Sequence, residues 1–201
     1  MHIEIHYLPS IQYISLLLKQ EKVCFEVFEN YPKQTYRNRA KILTSNGVEN
    51  IIVPTMHQSG HKIFTKDVRI DYSQNWQKQH LGALQAAYGK SAFYEYFMPL
   101  FLEVYQKKSK FLLDLNIDLL LTIFKIVGKR VDFCYSDTFE SDGANWFNRI
   151  TPKKELIVKH IFNYRQCFGT EFVGDLSVID LLMNEGRDAV SILSRIEFEH
   201  F

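Results

Sequence analysis

Residues 1–6 alternate apolar and polar side chains at period two, and residues 2–8 read as a first strand with two unlike faces. Pro9 and Ser10 follow. Apolar residues then recur at helical spacing over residues 11–19, which predicts a helix with a serine next to its start. Residues 23–28 read as a second strand. Strand, helix and strand within about thirty residues predict a parallel βαβ unit. Residues 40–43 and 48–53 flank Thr44-Ser45-Asn46-Gly47, and an Asn-Gly pair between two apolar runs predicts a hairpin. Residues 55–60 are loop-like, and residues 68–72 form a short alternating strand.

From Ser73 the period becomes helical. Residues 73–88 carry Trp76, His80, Leu84 and Ala87 near one face, and Gly89 ends the run. Helices follow over residues 92–106 and 112–127, the second closed by Gly128. Residues 130–135 read as a strand and residues 136–144 as a loop with an Asp-Gly pair. Thr151-Pro152 opens a helix to about Asn163, with proline at a favoured first-turn position. Residues 175–184 form a last apolar helix, stopped at Gly186. The expected fold is α/β: a small, mostly parallel N-terminal sheet with a hairpin, then a helix-rich C-terminal half. No Pro/Gly/Ser-rich linker divides the chain, so residues 1–201 read as one domain.

Composition narrows the partners. A net charge of +1 gives no global field to attract nucleic acid, so any basic site must be local. Three cysteines, Cys24, Cys134 and Cys167, have no paired spacing and read as reduced thiols of a cytoplasmic protein. The N-terminus lacks the basic start and apolar core of a signal peptide. The longest apolar run, residues 111–127, is interrupted by Asp114, Asn116, Asp118 and Lys125, so no transmembrane segment is expected.

One stretch concentrates candidate chemistry: Lys33-Gln34-Thr35-Tyr36-Arg37-Asn38-Arg39 holds three cations and no acid. Cations beside planar amides and a phenol suit a phosphate, a carboxylate or a sugar diphosphate. If the segment is a strand, Arg37 and Arg39 point the same way and can fork one oxyanion; if helical, they diverge. The plainer alternative pairs one arginine with an internal carboxylate. Pro9, Ser10 and Tyr13 stand where the first strand gives way to the first helix, the place where open α/β sheets bind ligands. Neither G-x-G-x-x-G nor G-x-x-x-x-G-K-[ST] occurs, which argues against a standard dinucleotide or P-loop site. No cofactor is named by the sequence.

His80, one turn after Trp76, is the best proton-transfer candidate, weighed against a core histidine with satisfied nitrogens. Gln166 suits a ligand hydrogen bond or a loop tie. His57 and His61 lie in a loop with no third ligand near. His2 and His6, in a strand, stand about 13 Å apart, too far to chelate, so no metal site is expected. Ser177 with Asp175 fits a helix N-cap, and no G-x-S-x-G surrounds the serine.

Four blocks together resemble the WbqC-like protein family: Tyr36-Arg37-Asn38-Arg39; Trp76 with His80 and Tyr88; Tyr164-Arg165-Gln166 with Phe168; and Leu176-Ser177-Val178-Ile179-Asp180-Leu181-Leu182. The resemblance spans about residues 5 to 187. The chain looks like a short form: of the family's proline- and aromatic-rich opening only Pro9 and Tyr13 match well, and a segment before Tyr164 is shortened. The family's name comes from gene clusters for O-antigen and other surface polysaccharides. The resemblance therefore suggests work on an activated sugar or its precursor. With the residue reading above, the expected function is a transferase on an anionic or nucleotide-activated precursor, with Pro9, Tyr13, Lys33, Tyr36, Arg37, Asn38, Arg39 and Gln166 as binding residues and His80 as the acid–base group. The competing expectation is a non-catalytic binding or assembly protein, using the same pocket or an aromatic face of Trp76, Tyr88, Phe93, Tyr94, Tyr96 and Phe97. Substrate, reaction and oligomeric state are not fixed by the sequence.

Overall fold

The computed structural model describes residues 1–56, 62–139, 146–153, 158 and 161–198. In chain order the elements are β1 (His2–Ile3), α1 (Ile11–Leu18), β2 (Lys22–Phe25), β3 (Arg39–Thr44), β4 (Gly47–Ile52), α2 (Trp76–Tyr88), α3 (Tyr94–Gln106), α4 (Leu112–Val127), β5 (Asp132–Tyr135), α5 (Val178–Glu185) and α6 (Ala189–Arg195). The fold is α/β. β1, β2 and β5 form one parallel sheet in that order, and β3–β4 is a separate antiparallel hairpin. The βαβ unit expected at the start is present: His2 pairs with Cys24 and Ile3 with Phe25, in parallel, across α1.

Both leading strands are shorter than their hydrophobic pattern. β1 stops at Ile3 because the chain beyond it finds partners outside the sheet. The Tyr7 amide donates to the Tyr36 carbonyl at 2.9 Å, and Leu8 turns away with φ 37°. β2 stops at Phe25 because the Glu26 carboxylate accepts the Phe28 amide at 2.8 Å, a local bond that competes with the ladder.

In the hairpin the two loop residues are Ser45 and Asn46, and Thr44 pairs with Gly47. Gly47 closes the turn at φ 102° with no neighbour crowding the position of a Cβ, so backbone conformation alone calls for glycine. The expected strand at 68–72 is instead a pair of isolated bridges, Arg69 with Phe111 and Ile70 with Thr55, after a 3-10 turn at Thr65–Asp67. Its amides and carbonyls are shared between Pro54–Met56 on one side and Lys110–Leu112 on the other, which satisfies them without a ladder.

α1 packs on α5 and α6, α2 packs on β3 and α3, and α4 lies against α3, so one apolar core runs from Ile3 through Tyr88 and Leu119 to Leu193. Gly128 ends α4 in the left-handed conformation, letting the Lys129 amide reach the Phe124 carbonyl. Ser177 caps α5 as its sequence suggests, its Oγ accepting from the Ile179 amide. The chain does not end its helices there: Gly186 makes a turn at φ 62° and α6 follows, tied to α1 by the Ser15 hydroxyl on the Leu193 carbonyl at 2.7 Å. The helix expected from Thr151 does not form at the described residues of its span. Pro152 and Lys153 lie in a turn, Val158 bridges Phe198, and residues 161–163 have no regular structure; the rest of the span lies outside the described residues.

Candidate functional site

All three parallel strands run out into one buried polar cluster. Glu4 and His6 follow β1, Glu26 and Glu29 follow β2, and Ser136 follows β5; each is buried. This is the carboxyl edge of the sheet, where α/β folds place ligands. Arg37 enters from the segment before β3. Its Nε and Nη2 donate to the two Glu29 oxygens at 2.5 and 2.7 Å, and Nη2 also reaches Asn148 Oδ1 at 3.0 Å. Both Glu29 oxygens accept, and Oε1 takes a further bond from the Thr65 hydroxyl at 3.0 Å, the geometry of an ionised carboxylate. Glu4 Oε2 accepts the Asn148 amide at 2.9 Å and lies 3.9 Å from Arg37 Nη2. Glu26 Oε1 accepts the Ser136 hydroxyl at 2.7 Å.

His6 is the second feature of the cluster. Its Nε2 meets Glu4 Oε1 at 3.1 Å, its ring stacks on Tyr13 at 4.2 Å, and Tyr36 lies 5.5 Å away. Tyr13 in turn donates its hydroxyl to the Glu4 carbonyl at 2.6 Å. Burial alone would push the Glu4 carboxyl up. The His6 hydrogen bond, the Arg37 charge and the Asn148 amide outweigh it and hold Glu4 below its ordinary range. Burial drives the His6 imidazole below its ordinary value, more than Glu4 restores, and Arg37 adds to the fall. The result is an ionised Glu4 accepting from a neutral His6, which fixes the hydrogen on Nε2 and leaves the lone pair on Nδ1. That Nδ1 and Arg37 Nη1 are both buried without a hydrogen-bond partner among the described residues. Leu8 and Asn148, both at positive φ (37° and 54°), flank the cluster, and such outliers gather at functional sites.

The sequence-marked residues do not gather in one place. Tyr13, Tyr36 and Arg37 join this cluster, and the Tyr7–Tyr36 backbone bond brings the basic stretch beside the Pro9–Tyr13 turn. Pro9 contributes its carbonyl to the Val178 amide at 2.8 Å, locking α5 to α1. Asn38 is buried, its Nδ2 on the Val53 carbonyl at 2.9 Å. Lys33 is exposed. Arg39 is half-buried at the start of β3 and has no ion pair among the described residues, so the two arginines do not fork one group. Gln166 lies elsewhere, beside Tyr164, donating to Asp180 at 3.1 Å and clasping Val173 through both its amide atoms. His57 and His61 lie outside the described residues.

His80 is inside the core with both nitrogens engaged. The Ile52 carbonyl can only accept, so Nε2 donates to it at 3.2 Å; Nδ1 therefore accepts from the Tyr7 hydroxyl at 2.8 Å, and Tyr7 accepts from Tyr105. Burial drives its pKa down to about 4, against the pull of the Ile52 carbonyl. The unfolded chain takes up this proton near pH 6.5, the folded one only near pH 4. His80 should thus make stability fall as pH drops through that window, by about 3 kcal/mol in all. Urea unfolding at pH 7.5 and 4.5 checks this: His80→Gln should show a shallower acid loss than the wild type, and equal slopes would refute the assignment.

Sequence reasoning passed over Glu4, His6 and Glu29. The sequence offers little to mark them: Glu4 and His6 lie just past the end of β1, and their burial comes from Arg37, Tyr13 and Asn148, which pack on them from elsewhere in the chain. Trp76 and Tyr88 are core residues, while Phe93, Tyr96 and Phe97 line an open groove with Arg187.

The fold and its carboxyl-edge cluster define an α/β protein with a buried ionic site. The chain belongs to the WbqC-like protein family, whose family model matches residues 5–160, which takes in the cluster apart from Glu4. The Tyr164 and Leu176–Leu182 blocks lie beyond the matched residues. No curated protein and no solved structure matches the chain. Among the described residues, no helix is long and apolar enough to cross a membrane.

Proposed function

We propose that this chain is a transferase of surface-polysaccharide biosynthesis, acting on an anionic or nucleotide-activated precursor. One observation carries the reading: a neutral His6 with a free Nδ1 lone pair shares a buried cluster with an unpartnered Arg37 Nη1. Other buried polar atoms, such as Trp76 Nε1 and Asn116 Oδ1, also go without a partner among the described residues, so what supports a ligand here is that a basic nitrogen and a guanidinium donor stand in one cluster at the carboxyl edge of the sheet. In this reading Arg37 donates Nη1 to an oxygen of the anion, and Tyr13 and Tyr36 supply aromatic walls. Glu4 holds the His6 tautomer while Nδ1 takes a proton from the acceptor hydroxyl or amine. The acid–base role passes from His80 to His6, and His80 serves the site by orienting Tyr7, the residue next to His6. Lys33 and Arg39 remain available for the outer charge of the anion, with Asn38, Pro9 and Gln166 holding the surrounding segments.

The second reading, a non-catalytic binding or assembly protein, draws on one fact: His6 and Arg37 are each only 1% exposed, so the site is closed. A thermal-shift panel of nucleotide sugars, acyl-CoAs, nucleoside triphosphates and polyprenyl phosphate analogues tests both. A ligand at one hundred times its dissociation constant adds about 2.7 kcal/mol, a shift of roughly 5–10 °C. Transferase action requires that a stabilising ligand is also consumed when an acceptor is present. Stabilisation without consumption supports the binding protein, and a panel with no response contradicts both.

A further inference from the structure

Cys24 and Cys134 are direct partners across the parallel pair β2–β5, two residues on from the Lys22–Asp132 pair. Side chains alternate along a strand, so these four share one face. The other face of β2 carries Val23 and Phe25 into the core, while both cysteines are partly exposed and carry free thiols. Neighbouring strands run about 4.7–4.9 Å apart, within the Cα separation of about 4.4–6.8 Å that a disulfide spans. The Cys134 thiol is near enough to help raise the Cys24 thiol. The third cysteine is elsewhere: Cys167 donates its thiol to Asn184 Oδ1 at 3.3 Å beside α5.

We propose that Cys24 and Cys134 are a redox-modification site, closing to a reversible cross-strand disulfide when the chain meets a hydroperoxide. Burial and the neighbouring Cys134 push the Cys24 thiol up to about 11, and Cys24 sits on the central strand β2 while Cys134 sits on the edge strand β5. Cys134, on the edge strand, attacks the peroxide as its thiolate. Its sulfur takes one oxygen as the sulfenic acid, and the O–O bond breaks to release water or an alcohol. Cys24 then attacks the sulfenic sulfur, the S–S bond forms and the hydroxyl leaves as water. Two thiols lose two electrons and two protons, and one peroxide is reduced. Opposed parallel strands restrict how the two Cβ atoms approach, and a bond made under restriction is the reducible, regulatory kind. The bond would staple β5, an edge strand, to β2 just before both run into the Glu26–Ser136 contact.

The inference stands whether or not the cluster is catalytic. The test is a non-reducing peptide map of the full chain after treatment with hydrogen peroxide, followed by alkylation. The expected result is a Cys24–Cys134 linked peptide, a chain mass lower by two hydrogens, full reversal by dithiothreitol, and Cys167 still alkylated. In Cys24→Ser the mass loss should vanish and Cys134 should gain oxygen instead. Wild-type Cys24 and Cys134 that both stay alkylated, both accumulate oxygen without linking, or link instead to Cys167 or to a second chain would overturn the proposal.

Discussion

Arg37→Ala will lower the free energy of unfolding by about 3–5 kcal/mol, the cost of leaving a buried carboxylate without its cation. Arg37 is among the largest fully buried side chains of the described residues, and its fork holds Glu29 on two oxygens while lying 3.9 Å from Glu4. Remove it and both acids keep their burial but lose their compensating charge. Their carboxyls will then titrate upward, so the deficit should shrink as pH falls toward 4 and the acids protonate. For a chain of this size the loss corresponds to roughly 6–20 °C in Tm. A paired replacement, Arg37→Leu with Glu29→Leu, should recover part of the loss, because exchanging both partners removes the desolvation cost along with the attraction. Urea unfolding of the single and paired variants checks this. A single variant within 1 kcal/mol of wild type would mean that the pair is not structurally closed as described.

His6→Gln should reduce turnover roughly 100- to 10,000-fold, the usual contribution of a general acid–base group, while binding of the stabilising ligand stays within a few-fold. Glutamine can still donate to Glu4, so the cluster's fold is kept while the basic nitrogen is lost. The same assignment fixes a pH profile. Because burial depresses the His6 pKa, the basic form is present at neutral pH, and the rate should be level there and fall only below pH 6.5. The measurement is initial rate against pH on whichever donor the thermal-shift panel identifies. Equal turnover in wild type and His6→Gln would remove His6 from the chemistry.

Much of the frame was legible because its signals are local. The βαβ start, the hairpin, and the α2, α3 and α4 helices each follow from periodicity bounded by a serine, a glycine or an Asn-Gly pair. What escaped depends on contacts far apart in sequence. The basic stretch looked like an open anion site, yet Arg37 turns inward to Glu29, eight residues upstream, and to Asn148, 111 residues downstream. Nothing near Arg37 announces those partners. The polar positions of the first strand carry no mark of their burial; Glu4 and His6 become interior because Arg37, Tyr13 and Asn148 close over them past the end of β1. His80 was visible as a candidate from its helix face, but its commitments to Tyr7 and Ile52 come from a strand exit and a hairpin edge that its own helix does not encode. The helix drawn after Thr151 rested on a favourable proline alone, and the observed turn at Pro152 shows that proline opens turns as readily as helices.

The central claim is that the Glu4–His6–Arg37 cluster is a ligand site with a free basic nitrogen, and the nitrogen NMR spectrum of the histidine side chains reads it directly. In the free protein at neutral pH, His6 should appear as a neutral imidazole with its hydrogen on Nε2 and an unbonded Nδ1. On adding the ligand that the thermal-shift panel selects, the Nδ1 resonance should move while His80 stays unchanged. A stabilising ligand that leaves both nitrogens of His6 unmoved would contradict the account.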